Sequence, residues 1–423
     1  MKTRQIFSLI IMALLILSGC SEKTEPKPKR TNTASENYFE VHKKIPAGKE
    51  PQGLVKRFDI LKEMGLDIYN DDLLVSPDGE LAAFSGFSGG KAEQSAPDAY
   101  KLVIVDLGTG ATTAIAHGRA VKVLAWTPDS KKVLYSDNGL YLIELAGKKK
   151  YRLSETASNG TISPDGKYIA FTENSQGLFI IRPDETGKKQ LAGAGAGGRP
   201  LWYPDGKKIF YFSGNTEHAR DKRQVPAAVS LSSGRRTMLL SGESGVYQDA
   251  RWISPGKTLL ITKKQGNTLS GFIYDLSGQK VVSLGELPKD EPFSFTVDGK
   301  NGRLLKAGEG KTEIFDVTGN KVVNFQLDDG ILKNYDYSVS PDGERVAYLY
   351  GVPGSGEING LKGRRVWVAG FEGQNPLEVT PSYGAYYSPR WAGENSLLVV
   401  ENLRNGEDRY FKLFLISLSK LNL

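Results

Sequence analysis

Residues 162–166, Ile-Ser-Pro-Asp-Gly, are followed by the apolar stretches KYIAFTE at 167–173 and GLFII at 177–181, and this short passage decides the fold. Proline presets φ at the second position of a tight turn, and aspartate accepts local backbone N–H bonds. Glycine adopts the left-handed conformation that closes a hairpin. The passage therefore predicts a turn between two short antiparallel β-strands.

The same phrase recurs along the chain. Its copies lie at 75–79, 126–130, 162–166, 202–206, 252–256, 295–299 and 339–343, with a degenerate eighth at 389–393. Successive copies are 36 to 51 residues apart, and each is followed by further short strands that bring the unit to four. This predicts an all-β fold, a β-propeller of four-stranded antiparallel blades, with eight blades preferred and seven as the alternative.

The repeat resembles that of the TolB-like and WD40-like (PD40-type) propeller proteins, in which Ser-Pro-Asp-Gly-Lys precedes an aliphatic strand and an Asp-containing third strand. The resemblance covers about residues 58–423. It implies the fold more strongly than a function, because this repeat serves many unrelated proteins. The sequence leaves no room for the α/β domain that precedes the propeller in TolB, so the partners of TolB are not carried over.

The last repeat offers three strands, near 386–391, 396–401 and 410–418. Its fourth strand must come from elsewhere, or an edge stays exposed. Two N-terminal stretches are candidates, 39–45 and 54–61. We expect one of them to close the ring inside a single domain that spans residues 37–423.

Residues 1–20 read MKTRQIFSLIIMALLILSGC, with Lys2 and Arg4 before a short apolar run. The run is too short for a membrane span and suits a signal peptide. It resembles a bacterial lipoprotein signal, in which cleavage between Gly19 and Cys20 exposes a cysteine that carries the lipid, diacylglycerol and palmitate. The resemblance implies a signal peptide at 1–19 and lipidation of Cys20. Residues 20–36, rich in Lys, Pro, Thr and Glu, are expected to form a flexible tether.

Composition excludes several classes of protein. One Cys and three His are too few for a disulfide framework or a typical zinc site, and no cofactor or metal is expected. The formal net charge is +7, but residues 58–423 contribute only +1 of it. The surplus belongs to the signal and the tether, which suits an anionic membrane surface and leaves nucleic acid without support as a partner.

Long connections between the second and third strands mark one face of the predicted ring. They lie at 86–98, 213–225, 351–362 and 402–409, in the first, fourth, seventh and eighth repeats. Binding sites are commonly built on long loops of a rigid scaffold. The expected binding face therefore contains the basic residues on or beside three of these loops, Arg220, Lys222, Arg223, Arg364, Arg365 and Arg404.

These patterns favour a membrane-anchored lipoprotein on the extracytoplasmic side of a bacterial cell, binding a protein or an envelope polymer without chemistry of its own. The alternative is a lyase or hydrolase acting on a cell-envelope glycan, with its site at the mouth of the central channel. Tolerated insertions would explain the long loops equally well. Neither the ligand nor the oligomeric state follows from the sequence.

Overall fold

The computed structural model describes most of the chain after residue 52. The described ranges are 53–59, 67–68, 73–87, 98–173, 176–214, 224–239, 246–265, 268–277, 280–287, 294–308, 311–325, 337–358, 361–380, 385–405 and 408–421. They form eight antiparallel sheets that follow one another along the chain. The predicted eight-bladed propeller is confirmed.

The strands of blades 1 to 4 follow in chain order. Blade 1 contains β2 (Asp67–Ile68), β3 (Leu74–Val75), β4 (Leu81–Phe87), β5 (Tyr100–Asp106) and β6 (Thr112–Gly118). Blade 2 contains β7 (Lys122–Trp126), β8 (Lys132–Ser136), β9 (Leu140–Glu144) and β10 (Lys150–Ser154). Blade 3 contains β11 (Thr161–Ile162), β12 (Ile169–Glu173), β13 (Gly177–Ile181) and β14 (Lys189–Ala192). Blade 4 contains β15 (Ala196–Trp202), β16 (Lys208–Gly214), β17 (Gln224–Ser230) and β18 (Arg236–Met238).

Blades 5 to 8 complete the ring. Blade 5 contains β19 (Val246–Ser254), β20 (Thr258–Gln265), β21 (Thr268–Asp275) and β22 (Lys280–Leu287). Blade 6 contains β23 (Ser294–Asp298), β24 (Arg303–Gly308), β25 (Lys311–Phe315) and β26 (Lys321–Phe325). Blade 7 contains β27 (Tyr337–Val339), β28 (Arg345–Ile358), β29 (Leu361–Gly370) and β30 (Leu377–Glu378). Blade 8 contains β31 (Ala385–Trp391), β32 (Ser396–Asn405), β33 (Asp408–Ser417) and, as its outer strand, β1 (Leu54–Asp59).

The ring closes through blades 8 and 1. The first strand of each blade touches the first strands of both neighbours, and β31 touches β3 to complete the circle. Phe84 and Val103 of blade 1 pack against Leu398 and Leu413 of blade 8, all of them buried. β1 pairs antiparallel with β33 from Leu54 opposite Ile416 to Asp59 opposite Lys412. Of the two N-terminal candidates, 54–59 therefore forms the fourth strand of the last blade, whereas 39–45 lies outside the described residues.

The strand directions divide the ring into two faces. Turns between first and second strands and connections between third and fourth strands share one side, named here the turn face. Connections between second and third strands and between successive blades share the opposite side, named here the hairpin face. β1 begins beside Ser417, whose amide donates to the Gly53 carbonyl at 2.9 Å, so the chain enters the ring on the turn face.

The repeated phrase forms a hydrogen-bonded turn. Ser163 Oγ donates to Asp165 Oδ1 at 2.7 Å and accepts from the Tyr168 amide at 2.9 Å. Gly166 closes the turn with φ of +71°. The hydrogen bond from Ser163, joined by that from the Lys167 amide, lowers the pKa of the Asp165 carboxyl. Each turn aspartate thus supports its own turn, and among the described residues no three His, Cys, Asp or Glu side chains come together as metal ligands.

Asp298 departs from this pattern. The residue is 2% exposed, and its carboxylate accepts from Arg303 Nε at 2.8 Å. Arg303 Nη2 also donates to the Gly343 carbonyl in blade 7. The turn phrase at 295–299 has Val297 where other copies have proline. Asp298 Oδ1 also accepts from the Lys300 and Asn301 amides at 3.1 Å, so the residue keeps the turn role that the sequence predicts and adds a buried link between blades 6 and 7.

Tryptophan side chains fasten neighbouring blades near the axis. Trp126 Nε1 donates to the Leu74 carbonyl at 3.0 Å, and Trp202 Nε1 to the Thr161 carbonyl at 3.2 Å. Trp252 Nε1 donates to the Trp202 carbonyl at 2.9 Å. Trp391 Nε1 repeats the contact at 2.8 Å, to the Ser338 carbonyl. Each bond crosses from the first strand of one blade to the first strand of the blade before it.

Helical structure is limited to two 3₁₀ turns in the described chain, Ala146–Lys148 and Ser419–Leu421. Within these same residues, no helix has the length and apolar character needed to cross a membrane.

Candidate binding face

Two extended hairpins stand side by side on the hairpin face. β32 and β33 pair over ten residues each, out to Asn405 opposite Asp408, whereas the equivalent β8 and β9 have five residues each. At about 3.4 Å per residue, five additional residues extend a strand by about 17 Å. The β28–β29 hairpin of blade 7 is also long, with strands of fourteen and ten residues. These two blades therefore present the largest described projections of the ring.

The sequence predicts long loops at 351–362 and 402–409, but most of these residues belong to paired strands. The Gly- and Pro-containing stretch at 351–356 favours a loop by composition. Its pairing is irregular, with register shifts between Gly351 and Pro353 and again between Pro353 and Ile358. These residues remain in strands because the regular pairing nearer the centre of blades 7 and 8 fixes the register, and the hairpins extend outward from it.

A charged group lies on the first strands of blades 4 and 5. Arg251 Nε donates to Asp249 Oδ2 at 2.8 Å, and Arg251 Nη1 reaches the Phe295 carbonyl of blade 6 at 3.3 Å. The Arg251 and Asp249 side chains are 57% and 40% exposed, and Arg199 is exposed on β15. Because first strands surround the axis of a propeller, these groups lie near the central channel.

The electrostatics of this group favour an anion. Desolvation by the surrounding protein lowers the pKa of Arg199, repulsion from Arg251 adds to this, and Asp249 opposes it. Asp249 thus influences both guanidinium groups, and among the described contacts it forms its ion pair with Arg251. A carboxylate or phosphate from a partner would relieve the repulsion and satisfy guanidinium N–H donors.

Sequence reasoning missed Arg199, Asp249 and Arg251. The signal for Arg251 was present, because it immediately precedes the tryptophan of its repeat. Residues one before that position alternate with the tryptophan along the strand and so lie on the opposite face of the sheet, toward the following blade, as the contact of Arg251 with Phe295 of blade 6 shows. Arg390 holds the same place before Trp391, and its Nη1 bonds to the Pro389 carbonyl at 3.2 Å.

The predicted binding residues have different outcomes. Arg220, Lys222 and Arg223 lie outside the described residues, as do Gly19 and Cys20. Arg364 lies on β29 opposite Gly351, and Arg404 lies on β32 opposite Arg409. The last two positions are on the extended hairpins of the hairpin face.

Arg365 requires a correction. The residue is 7% exposed, and its Nη1 donates to Glu378 Oε1 at 2.7 Å and to Oε2 at 2.8 Å. Burial raises the pKa of Glu378, against the opposing effect of Arg365. The guanidinium is committed to joining β29 and β30, so Arg365 is not an exposed cation of the binding face. Its charge reversal would leave two carboxylates buried together and would report folding rather than binding.

The comparisons with known proteins agree with the architecture. No protein-family model matches the chain. A TolB homologue of Chlorobium chlorochromatii (strain CaD3) is 38% identical over 108 residues, a match that covers 23% of this chain and 22% of that protein. Less than a quarter of the relative is therefore matched, and its activity and partners do not transfer.

Solved structures show the same fold at low identity. The Dos1 propeller has a TM-score of 0.56 and 12% identity, covering 87% of this chain and 95% of that one. The C-terminal WD40 domain of Sif2 has a TM-score of 0.52 and 14% identity, covering 86% of this chain and 98% of that one. The repeats are TolB-like and WD40-like, as the sequence predicts.

Proposed function

We propose that this chain is a lipid-anchored lipoprotein on the extracytoplasmic side of a bacterial cell membrane, and that its hairpin face binds a protein partner. The observation that carries the proposal is the pair of extended hairpins in adjacent blades. A TolB-like propeller is a binding scaffold, and projections on a rigid ring provide contact area that short turns do not. The propeller itself performs no chemistry in this proposal.

The arginine residues of the hairpins and first strands indicate which chemical groups the partner presents. Arg364, Arg404 and Arg409 occupy register positions on the two hairpins, and Arg199 and Arg251 lie on the first strands. Arginine is enriched at protein interfaces and binds carboxylates through two parallel hydrogen bonds. Stretches 351–364 and 401–409 also carry Glu357, Glu401, Glu407 and Asp408, so their charges balance, and we expect the partner to place individual carboxylates opposite these arginines. An acidic envelope polymer satisfies the same chemistry and is the second possibility for the ligand.

Crosslinking on intact cells, with identification of the captured protein, tests the proposal. The variant Arg364→Glu/Arg404→Glu reverses two charges on the hairpins, and Lys300→Glu/Lys420→Glu reverses two exposed charges on the turn face of blades 6 and 8 as the matched control. We expect the first variant to lose capture at least tenfold and the control to retain it. Equal capture by all three proteins would overturn the proposal, provided their melting temperatures agree.

An envelope-glycan lyase or hydrolase is the competing function, favoured by the Asp249 carboxylate beside Arg199 and Arg251. Such an enzyme would use Asp249 as base or acid and the arginines to hold an anionic sugar. Asp249→Asn would then abolish release of unsaturated or reducing ends from envelope glycan. Activity that disappears with this substitution would replace the binding proposal.

A further inference from the structure

Charge divides the turn face into two arcs. The first, named here the basic arc, covers blades 2 to 5 and contains exposed cations on the turns and third-to-fourth connections. Its members are Lys131, Lys148, Lys149, Lys167, Lys207, Arg235, Arg236 and Lys257. Only Lys167 among these forms an ion pair within its turn, with Asp165 at 3.2 Å, in the described contacts. The exposed acids Asp129, Asp165, Asp184, Glu185 and Asp205 reduce the charge of this arc, but the eight cations outnumber them.

Acidic side chains predominate on the turns of blades 1, 7 and 8, although exposed Lys420 follows β33 in blade 8 and exposed Lys300 lies on the turn of blade 6. Exposed Glu80, Glu344, Glu372 and Glu394 lie on the turns of blades 1, 7 and 8. Because residues 58–423 are close to neutral overall, this separation produces an electrical asymmetry that the bulk charge conceals. An anionic surface would attract blades 2 to 5 and repel blades 7, 8 and 1.

Aromatic rings support the cations of blade 2. Lys149 Nζ lies 4.7 Å from the Tyr151 ring centroid, and Lys132 Nζ lies 5.2 Å from the same ring. Lys150 Nζ lies 4.0 Å from the Tyr141 centroid. Lysine side chains rest their stems on apolar surface and keep their ammonium groups in water, and tyrosine is favoured where lipid headgroups meet water. This corner therefore suits a headgroup layer.

The chain also enters the ring on this face, at Leu54. The tether predicted at residues 20–36 has a root-mean-square reach of roughly 23 Å. A lipid at Cys20 would thus hold the ring near a membrane without fixing which face meets it. The chain enters at blade 8, outside the basic arc. Orientation therefore requires a second, weaker contact, and the basic arc offers one of the right sign on the same face.

We propose that the basic arc rests on anionic lipid headgroups, so that the ring is tilted with blades 2 to 5 lowest and the hairpin face turned away from the membrane. The inference rests on the proposed membrane anchoring and deepens it. It also explains how attachment through the lipid at Cys20 is strengthened, because stable membrane binding commonly combines an acyl chain with a basic surface.

Vesicle flotation of the mature chain, residues 20–423 with Cys20→Ser, tests the arc without the lipid or the apolar signal segment. Vesicles contain phosphatidylcholine with or without phosphatidylglycerol. We expect binding only to the anionic vesicles, weakening with salt. The variant Lys149→Glu/Lys207→Glu/Lys257→Glu should lower the partition coefficient at least about 100-fold, since each basic residue near such a surface contributes about 1 kcal/mol.

The matched control is Arg119→Glu/Lys122→Glu/Lys264→Glu, which changes the net charge equally at exposed positions on the hairpin face. It should lose no more than a few-fold. Equal losses in both variants would show that only net charge matters and would overturn the proposal. Tight binding to soluble polygalacturonate, with none to anionic vesicles, would assign the arc to an acidic polymer and overturn it as well.

Orientation is measured separately. With Cys20→Ser the chain has no other cysteine, so single labels report single places. A fluorophore at Ser233→Cys in blade 4 should be quenched by lipid-borne quenchers more than one at Thr109→Cys in blade 1 or Ser158→Cys on the hairpin face. Equal quenching at all three would contradict the tilt. Lipidation and partner capture by the natural chain are independent readouts, so failure of the proposed function can be told from failure of this contact.

Discussion

Tryptophan indole N–H groups form hydrogen bonds that join neighbouring blades at four interfaces of the described ring. Trp202 both donates to Thr161 and accepts from Trp252, so three successive blades are joined through one residue. The Trp252 ring also meets Tyr203 edge to face at a centroid distance of 5.0 Å. A hydrogen bond to a half-buried carbonyl near the axis fixes the spacing of the blades as well as contributing to stability.

Trp252→Phe should lower the free energy of unfolding by about 2 kcal/mol. The change leaves the Trp202 carbonyl without the indole donor and removes part of the packed ring. Urea denaturation measures the effect. Trp252→Ala is the comparison, because it also removes the edge contact with Tyr203 and should cost more. A Trp252→Phe protein as stable as the natural chain would show that the bond contributes nothing net.

The turn aspartates predict a dependence of stability on pH. The Thr127 hydroxyl chiefly lowers the pKa of Asp129, and the Ser163 hydroxyl chiefly lowers that of Asp165. A carboxyl whose pKa is lower in the folded state contributes stability above its unfolded value, near 3.8 for these groups, and loses it as the pH falls toward the folded value. Melting temperature should therefore fall below about pH 4.

The Asp129→Asn/Asp165→Asn variant tests this assignment. Its melting temperature should be lower at pH 7 and should approach that of the natural chain near pH 3, because the amide cannot gain a proton. Differential scanning calorimetry across this range measures both. Parallel curves for the two proteins would mean that these turns do not contribute to acid sensitivity.

At the scale of the blade, the interface between blades 2 and 3 is joined without an indole bond. Blade 3 has Ile162 at the position that tryptophan occupies in blades 2, 4, 5 and 8, and a polar cluster links it to blade 2. Ser154 Oγ donates to Glu173 Oε1 at 2.7 Å, and Lys188 Nζ lies 2.6 Å from the same oxygen. The Glu173 side chain is 5% exposed, so its charge depends on these partners.

Lys188→Met should destabilise the protein by about 2 kcal/mol, because it leaves the buried Glu173 carboxylate without its cation. Adding Glu173→Gln should recover part of the loss, since the remaining amide is neutral. A double-mutant cycle in urea measures the coupling. Strictly additive losses would show that Lys188 acts through its contacts with the Phe171 and Phe179 rings rather than through the ion pair.

The blade count could be read from the sequence because the phrase at 162–166 marks a turn by local chemistry alone. The last repeat lacks a fourth strand in its own sequence, and this limited the candidates for that strand to two N-terminal stretches, one of which contains 54–59. The hydrogen bonds between blades could not be predicted. Trp252 and its acceptor Trp202 are fifty residues apart, and no local sequence pattern indicates that they pair. Arg365 was misplaced for the same reason, since its burial depends on the position of Glu378 across the blade.

For the whole molecule, the anchoring prediction has a direct measurement. The natural chain should incorporate labelled palmitate, and Cys20→Ser should abolish this labelling while leaving the melting temperature unchanged, because Cys20 precedes every described strand. Gly19→Leu, which places a large residue beside the predicted cleavage site, should also impair processing. Labelling that persists in Cys20→Ser would place the lipid elsewhere and refute the assignment.

Closure of the ring imposes an order of events on biosynthesis. The ribosome makes Leu54 among the first of the ring residues, yet its partner Ile416 is among the last. Seven blades can assemble from neighbouring segments, but the eighth must wait for both ends of the chain. Until then β33 has no outer neighbour and β1 is an unpaired edge strand, the kind of segment that invites aggregation. A nascent chain stalled before residue 408 should therefore remain protease-sensitive at its N-terminal strand, and become protected only when synthesis is complete.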